Sequence, residues 1–165
     1  MDNTHSLMEK MVDFLRSNNI GVKFTSLPED TFLPGLYIDC GQLLVDVARL
    51  TYVGDILHEG GHIALMNPEE RTFLAGSLTG QQYAEASEMM VIAWTYAACL
   101  HLDIDPAIVF HDGYKSGGEH TLSNFRAGRY FGVPMLQWLG MTSQGNGAGL
   151  DTEAIYPSMK YWVRS

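Results

Sequence analysis

The run Ile56-Leu57-His58-Glu59-Gly60-Gly61-His62-Ile63-Ala64-Leu65 places two histidines four positions apart within an apolar stretch. On a helix, residues at i and i+4 stand one above the other on a single face. Helical geometry therefore makes His58 and His62 neighbours, with Ile56, Leu57, Ile63 and Leu65 left to anchor the helix in a core. Gly60 and Gly61 work against that helix, since each glycine costs about 1 kcal/mol relative to alanine. A chain that keeps both predicts that something approaches this backbone closely, such as a substrate or a neighbouring strand.

Two imidazoles on one face suit a single zinc ion, which takes three protein ligands and a water where it is catalytic. Glu59 stands beside the first histidine, within reach of such a water, whose pKa zinc lowers toward about 7. The third ligand is sought on the next helix. There Glu85 and Glu88 sit three apart on one face, just before the apolar run Met89-Met90-Val91-Ile92-Ala93-Trp94. A helix N-terminus favours acidic residues in any case, which accounts for Glu85 more easily than for Glu88. A carboxylate at the buried edge of an apolar helix is costly unless paired or metal-bound, which favours Glu88. His111 is a further alternative, because zinc also accepts three histidines.

The segment Phe110-His111-Asp112-Gly113-Tyr114-Lys115-Ser116-Gly117-Gly118 reads as a flexible, glycine-rich loop. Hydroxide attack on a carbonyl needs a donor for the developing oxyanion, and His111 and Tyr114 are the candidates, with His120 weaker. Asp55, one turn before His58, fits either a carboxylate that orients a liganding imidazole or a first-turn helix acid. His5 and His101 have no partner at ligand spacing and read as structural.

The rest of the chain predicts an α+β domain. Leu7, Met8, Met11, Val12 and Leu15 keep helical spacing, and Val22 to Thr25 reads as a short strand. Leu36-Tyr37-Ile38 and Leu43-Leu44-Val45, separated by Asp39-Cys40-Gly41-Gln42, read as a β-hairpin. Helices are expected from about Thr51 to Leu65 and from about Gln82 to Leu102. The second shows a stripe of Met89, Ile92, Ala93, Tyr96, Ala97 and Leu100. Short helices follow after Asp105-Pro106 and around Val133 to Leu139. Gly145-Asn146-Gly147-Ala148-Gly149 has no preceding strand and no following Lys-Ser/Thr, so it reads as a surface loop and not as a phosphate loop. Tyr130, Phe131, Trp138, Tyr156, Tyr161 and Trp162 read as core filling or an oligomer contact, and pairing of chains into a homo-oligomer is plausible.

Composition removes several classes. Ten Lys and Arg against 19 Asp and Glu, a formal charge of −9, leave no basic stripe for phosphates, so no nucleic-acid partner is expected. The longest apolar stretch, Met89 to Leu102, is too short and too polar to span a bilayer, so no membrane partner is expected. Met1 to Phe24 lacks a basic region followed by an apolar run, and a cytoplasmic location is expected. Cys40 and Cys99 lie far apart and are read as free thiols. With no linker or internal repeat, residues 1–165 are expected to form a single domain.

His58-Glu59-Gly60-Gly61-His62 followed by a glutamate-bearing helix resembles the gluzincin group of HExxH zinc metallopeptidases. The short length and the helix–hairpin–helix order resemble small bacterial zincin-like proteins of the ImmA/IrrE type. The resemblance spans roughly Leu36 to Leu102. It implies a zincin-like core in which a small antiparallel sheet backs two metal-binding helices. It also implies His58, His62 and Glu88 as zinc ligands and Glu59 as general base. The expected activity is zinc-dependent hydrolysis of a peptide or small amide; the rivals are a metal-binding sensor or interaction module without catalysis, and a metal-free interaction protein whose histidine pair is accidental.

Overall fold

The computed structural model describes residues 3–76, 84–114, 117–145 and 154–165. Six α-helices and one three-stranded sheet make up the regular structure of the described residues. Helix α1 (Asn3–Ser17) leads into β1 (Gly21–Phe24), followed by the hairpin β2 (Leu36–Asp39) and β3 (Gln42–Val45). Helices α2 (Asp55–Leu65), α3 (Pro68–Arg71) and α4 (Ala84–His101) come next, then a 3-10 turn over Pro106–Ile108, α5 (Gly118–Arg126) and α6 (Val133–Trp138).

The hairpin forms where its turn residues direct it. Cys40 and Gly41, at φ 47° and 81°, supply the two left-handed residues that a two-residue turn between right-twisted strands requires. The sheet as a whole is mixed and not antiparallel as expected. Its order is β1-β3-β2, and β1 pairs with β3 in parallel, Val22 opposite Leu43. After β1 the chain runs on to lay down β2, and β3 then returns between the two. On the outer edge of β2, Cys40 N–H donates to Leu74 O (3.0 Å) and Gly76 N–H to Ile38 O (2.8 Å), so the chain's own backbone covers part of that edge. Leu36, Ile38, Leu43 and Val45 are buried on one face, packed toward α2.

Helix α2 lies at the centre, in contact with α1, with β2 and β3 of the sheet, and with α4. The glycine pair explains how. A Cβ at Gly60 would run into the Leu15 side chain of α1, and one at Gly61 would stand 2.9 Å from Trp94 Cε3 and 3.2 Å from Val91 Cγ1 of α4. Two helices, and neither a strand nor a substrate, make the close approach. Helix α4 departs from its expected stripe: residues 91–99 are all buried, while Met89 and Leu100 are exposed. A helix enclosed on nearly every side has no need of amphipathic periodicity.

The aromatics near the end divide. Tyr156 is buried and Trp162 packs edge-on against Trp94, whereas Trp138 and Tyr161 are exposed. Cys40 is exposed, Cys99 is buried, and both are free thiols. No helix among the described residues is long and apolar enough to cross a membrane. Residues 146–149 of the glycine string lie outside the described residues.

Candidate metal centre

Helix α2 presents Asp55, His58, Glu59 and His62 toward an open cleft of about 1770 Å³, and α4 brings Glu88 to the same wall. Three side chains converge there. His58 Nε2 lies 3.2 Å from His62 Nε2, His58 Nε2 lies 3.3 Å from Glu88 Oε1, and His62 Nε2 lies 3.1 Å from Glu88 Oε2. Of the described residues, these are the ones grouped as a metal ion would need. Ligands at about 2.0–2.1 Å from a tetrahedral zinc stand about 3.3 Å apart along each edge. The His58–His62 separation matches that edge, and each imidazole meets a different oxygen of Glu88 at a similar distance, so the donor set is of the chemistry that zinc takes and close enough to share one ion.

The same proximity shapes the protonation of the trio. Burial by itself would lower the pKa of His58, but the hydrogen bond and charge of Glu88 outweigh it and raise the pKa above the usual histidine value. Burial would likewise raise the Glu88 carboxyl, yet the hydrogen bonds and charges of His58 and His62 hold it far below the usual carboxylate range. Without a metal the trio is a site that attracts a proton, as expected of a cation site.

Glu59 follows His58 on the helix and lines the cleft half-buried, and its carboxylate accepts no hydrogen bond among the described residues. Glu85 is the second residue of α4, but its side chain lies outside the described residues. His111 stands apart from the trio. Its Nε2 meets Asp55 Oδ1 at 2.9 Å, its ring stacks on Tyr52 at 3.6 Å between centroids, and its buried Nδ1 has no partner among the described residues. Asp55 thus orients His111 and not a liganding imidazole. Tyr114 is buried, with its hydroxyl 3.0 Å from Glu88 Oε1 and 3.3 Å from His58 Nδ1. His120 is exposed and meets Asn124 at 3.2 Å.

Within the segment expected to be a loop, His111 and Tyr114 are engaged by Asp55, Glu88 and His58, while Lys115 and Ser116 lie outside the described residues. Gly54, at the N-terminus of α2, lets the 3-10 turn come so close that a Cβ there would overlap the backbone of Ile108 and Val109. That contact brings residues 111–114 over the first turns of α2. At the other end of α2, Arg71 donates to Ile63 O (3.1 Å), Met66 O (3.0 Å) and Arg164 O (3.0 Å). A guanidinium on the last carbonyls satisfies acceptors that a helix end leaves open and opposes its dipole. Sequence reading missed this cap, although Arg71 lies only six residues past the helix end.

Compared with protein-family models, curated proteins and solved structures, the chain finds no match. The chemistry of the site has to be read from the residues that build it.

Proposed function

We propose that this chain is a zinc-dependent hydrolase of peptide or similar amide bonds. The observation that carries the reading is the convergence of His58, His62 and Glu88 within reach of one ion, beside a Glu59 that has no hydrogen-bond partner among the described residues, on the wall of an open cleft. The contact of α2 with a small sheet and with the glutamate-bearing α4 also supports a zincin-like core.

His58, His62 and Glu88 hold the metal. Zinc in such a site supplies an acidified water and a positive charge that polarises a carbonyl. Glu59 takes one proton as the water oxygen bonds to the carbonyl carbon. The C–N bond then breaks, and Glu59 returns that proton to the departing amine nitrogen. Proton count and charge balance without any further reactant.

Of the two candidate oxyanion donors, Tyr114 already has its hydroxyl engaged by Glu88 and His58, which leaves His111, whose buried Nδ1 has to turn toward the cleft to donate. Its Nε2 meets Asp55 Oδ1, which holds the ring at the wall of the cleft. The cleft wall includes exposed Phe32, Tyr37, Tyr52 and Met89, which suits substrates with apolar side chains.

Metal analysis and one substitution test the proposal. The expected result is one zinc per chain, lost in His58→Ala, together with cleavage of unstructured peptides that Glu59→Gln abolishes while keeping its zinc. A chain that takes up no zinc, or a Glu59→Gln protein with undiminished cleavage, overturns it. Stoichiometric zinc with no hydrolysis by the wild type returns the chain to the second reading, a metal-holding sensor or interaction module.

A further inference from the structure

Tyr114 has the residue type of an oxyanion donor, but its hydroxyl is already engaged between two of the three converging side chains. It lies 3.0 Å from Glu88 Oε1 and 3.3 Å from His58 Nδ1. The ring is buried, edge-on to the His58 ring at 88° and 5.3 Å between centroids, and packed against Phe110 at 5.3 Å. The backbone holds this position too, because Tyr114 N–H donates to His111 O at 2.9 Å.

A phenol hydroxyl has one proton to give and lone pairs to receive with. Facing an ionised carboxylate, it gives that proton to Glu88 Oε1. Toward His58 it then acts as acceptor, so the partner atom must be Nδ1–H. The neutral imidazole carries only one ring proton, and a proton on Nδ1 leaves the lone pair on Nε2. Nε2 is the atom that faces His62 and Glu88. The chain His58 Nδ1–H to Tyr114 Oη, then Tyr114 Oη–H to Glu88 Oε1, links ligand to ligand through one side chain.

We infer that Tyr114 is a positioning residue that fixes His58 in the Nδ1–H tautomer and holds the Glu88 carboxylate in the orientation the metal requires. The assignment rests on the reading of the trio as metal ligands. Partners of this kind outside the ligand set are worth about 10–100-fold in metal affinity. A tyrosine in this role differs from an oxyanion donor in a measurable way: it acts on the metal before any substrate is present.

Tyr114→Phe keeps the ring and removes the hydroxyl. Zinc affinity, measured by competition with a chromogenic chelator, is expected to fall about 10–100-fold, and the visible spectrum of the cobalt-loaded protein is expected to shift. Unchanged affinity and an unchanged cobalt spectrum, with kcat alone reduced, overturn the assignment and return Tyr114 to the oxyanion.

A second measurement needs no variant. In the zinc-loaded wild type, ¹⁵N-histidine NMR is expected to show His58 protonated at Nδ1, with that proton slow to exchange because the Tyr114 oxygen holds it. A His58 found in the Nε2–H form overturns the tie. Wild-type protein that takes up no zinc sinks the metal reading itself and the positioning role with it.

Discussion

Trp94 lays its ring against the backbone of Gly61 so closely that a methyl group on Gly61 would stand 2.9 Å from Cε3. The ring has nowhere to retreat. It is fully buried, and its Nε1–H donates to Trp162 O at 2.9 Å. Alanine would restore about 1 kcal/mol of helix propensity, whereas forcing a methyl into a packed core costs about 1–3 kcal/mol. A rigid, tethered ring puts this position at the upper end, so Gly61→Ala is expected to lose net stability, by about 2 kcal/mol at most. Because Gly61 and Trp94 set the spacing of α2 and α4, zinc affinity should fall with it. Urea denaturation and chelator competition check both; a variant as stable and as tightly loaded as the wild type contradicts the packing argument.

Metal-free protein should show a pH optimum of stability set by the trio. The Glu88 carboxyl is depressed in the fold, so its contribution is present above the unfolded value of 4.5 and is lost as pH falls through the folded value. The His58 pKa is raised, so its contribution is complete below the unfolded value of 6.5 and is lost as pH rises through the folded value. Both are therefore present together between pH 4.5 and 6.5. Thermal melts of chelator-treated protein across pH 3 to 9 should peak in that window, and Glu88→Gln should weaken both limbs. Zinc competes with protons for the same atoms, so zinc-loaded protein should lose the alkaline limb.

Asp55→Asn separates the two histidine environments on α2. Asparagine can still accept from His111 Nε2–H, but the hydrogen bond that holds the ring is then no longer charge-assisted. If His111 supplies the oxyanion donor, peptide cleavage should fall at least about tenfold, with zinc content unchanged because Asp55 touches none of the trio. Cleavage at the wild-type rate would remove His111 from the mechanism.

What could be read from the sequence follows the range of each interaction. His58 and His62 were legible because helical geometry alone makes them neighbours, and Glu88 because a carboxylate ahead of an apolar helix calls for a partner. The Cys40-Gly41 turn was legible from local backbone chemistry. The parallel pairing of β1 with β3 was not, since nothing local shows that β3 will return between β1 and β2. Helix α5 was hidden by its start at Gly117-Gly118 and by its few apolar positions, Leu122 and Phe125. The Asp55–His111 and Tyr114–His58 contacts each join residues 56 positions apart. They depend on Gly54 admitting the 3-10 turn, a packing event that residue types alone do not announce.

The identity of the third ligand can be decided by linkage without any substrate. A ligand that binds only the folded chain stabilises it by RT ln(1 + [L]/Kd), about 4 kcal/mol at a thousandfold excess over Kd. For a chain of this size that is a rise in Tm of about 10 °C. With Glu88 as ligand, Glu88→Ala should abolish most of the rise on zinc addition, because two histidines alone hold zinc weakly. His111→Ala should keep the rise, because its Nε2 is committed to Asp55 and its ring stacks on Tyr52. Glu85→Ala should keep it as well. Zinc-induced shifts measured by scanning calorimetry on the three variants decide the matter: a shift lost in His111→Ala or Glu85→Ala and kept in Glu88→Ala would move the third ligand away from the carboxylate that the geometry favours.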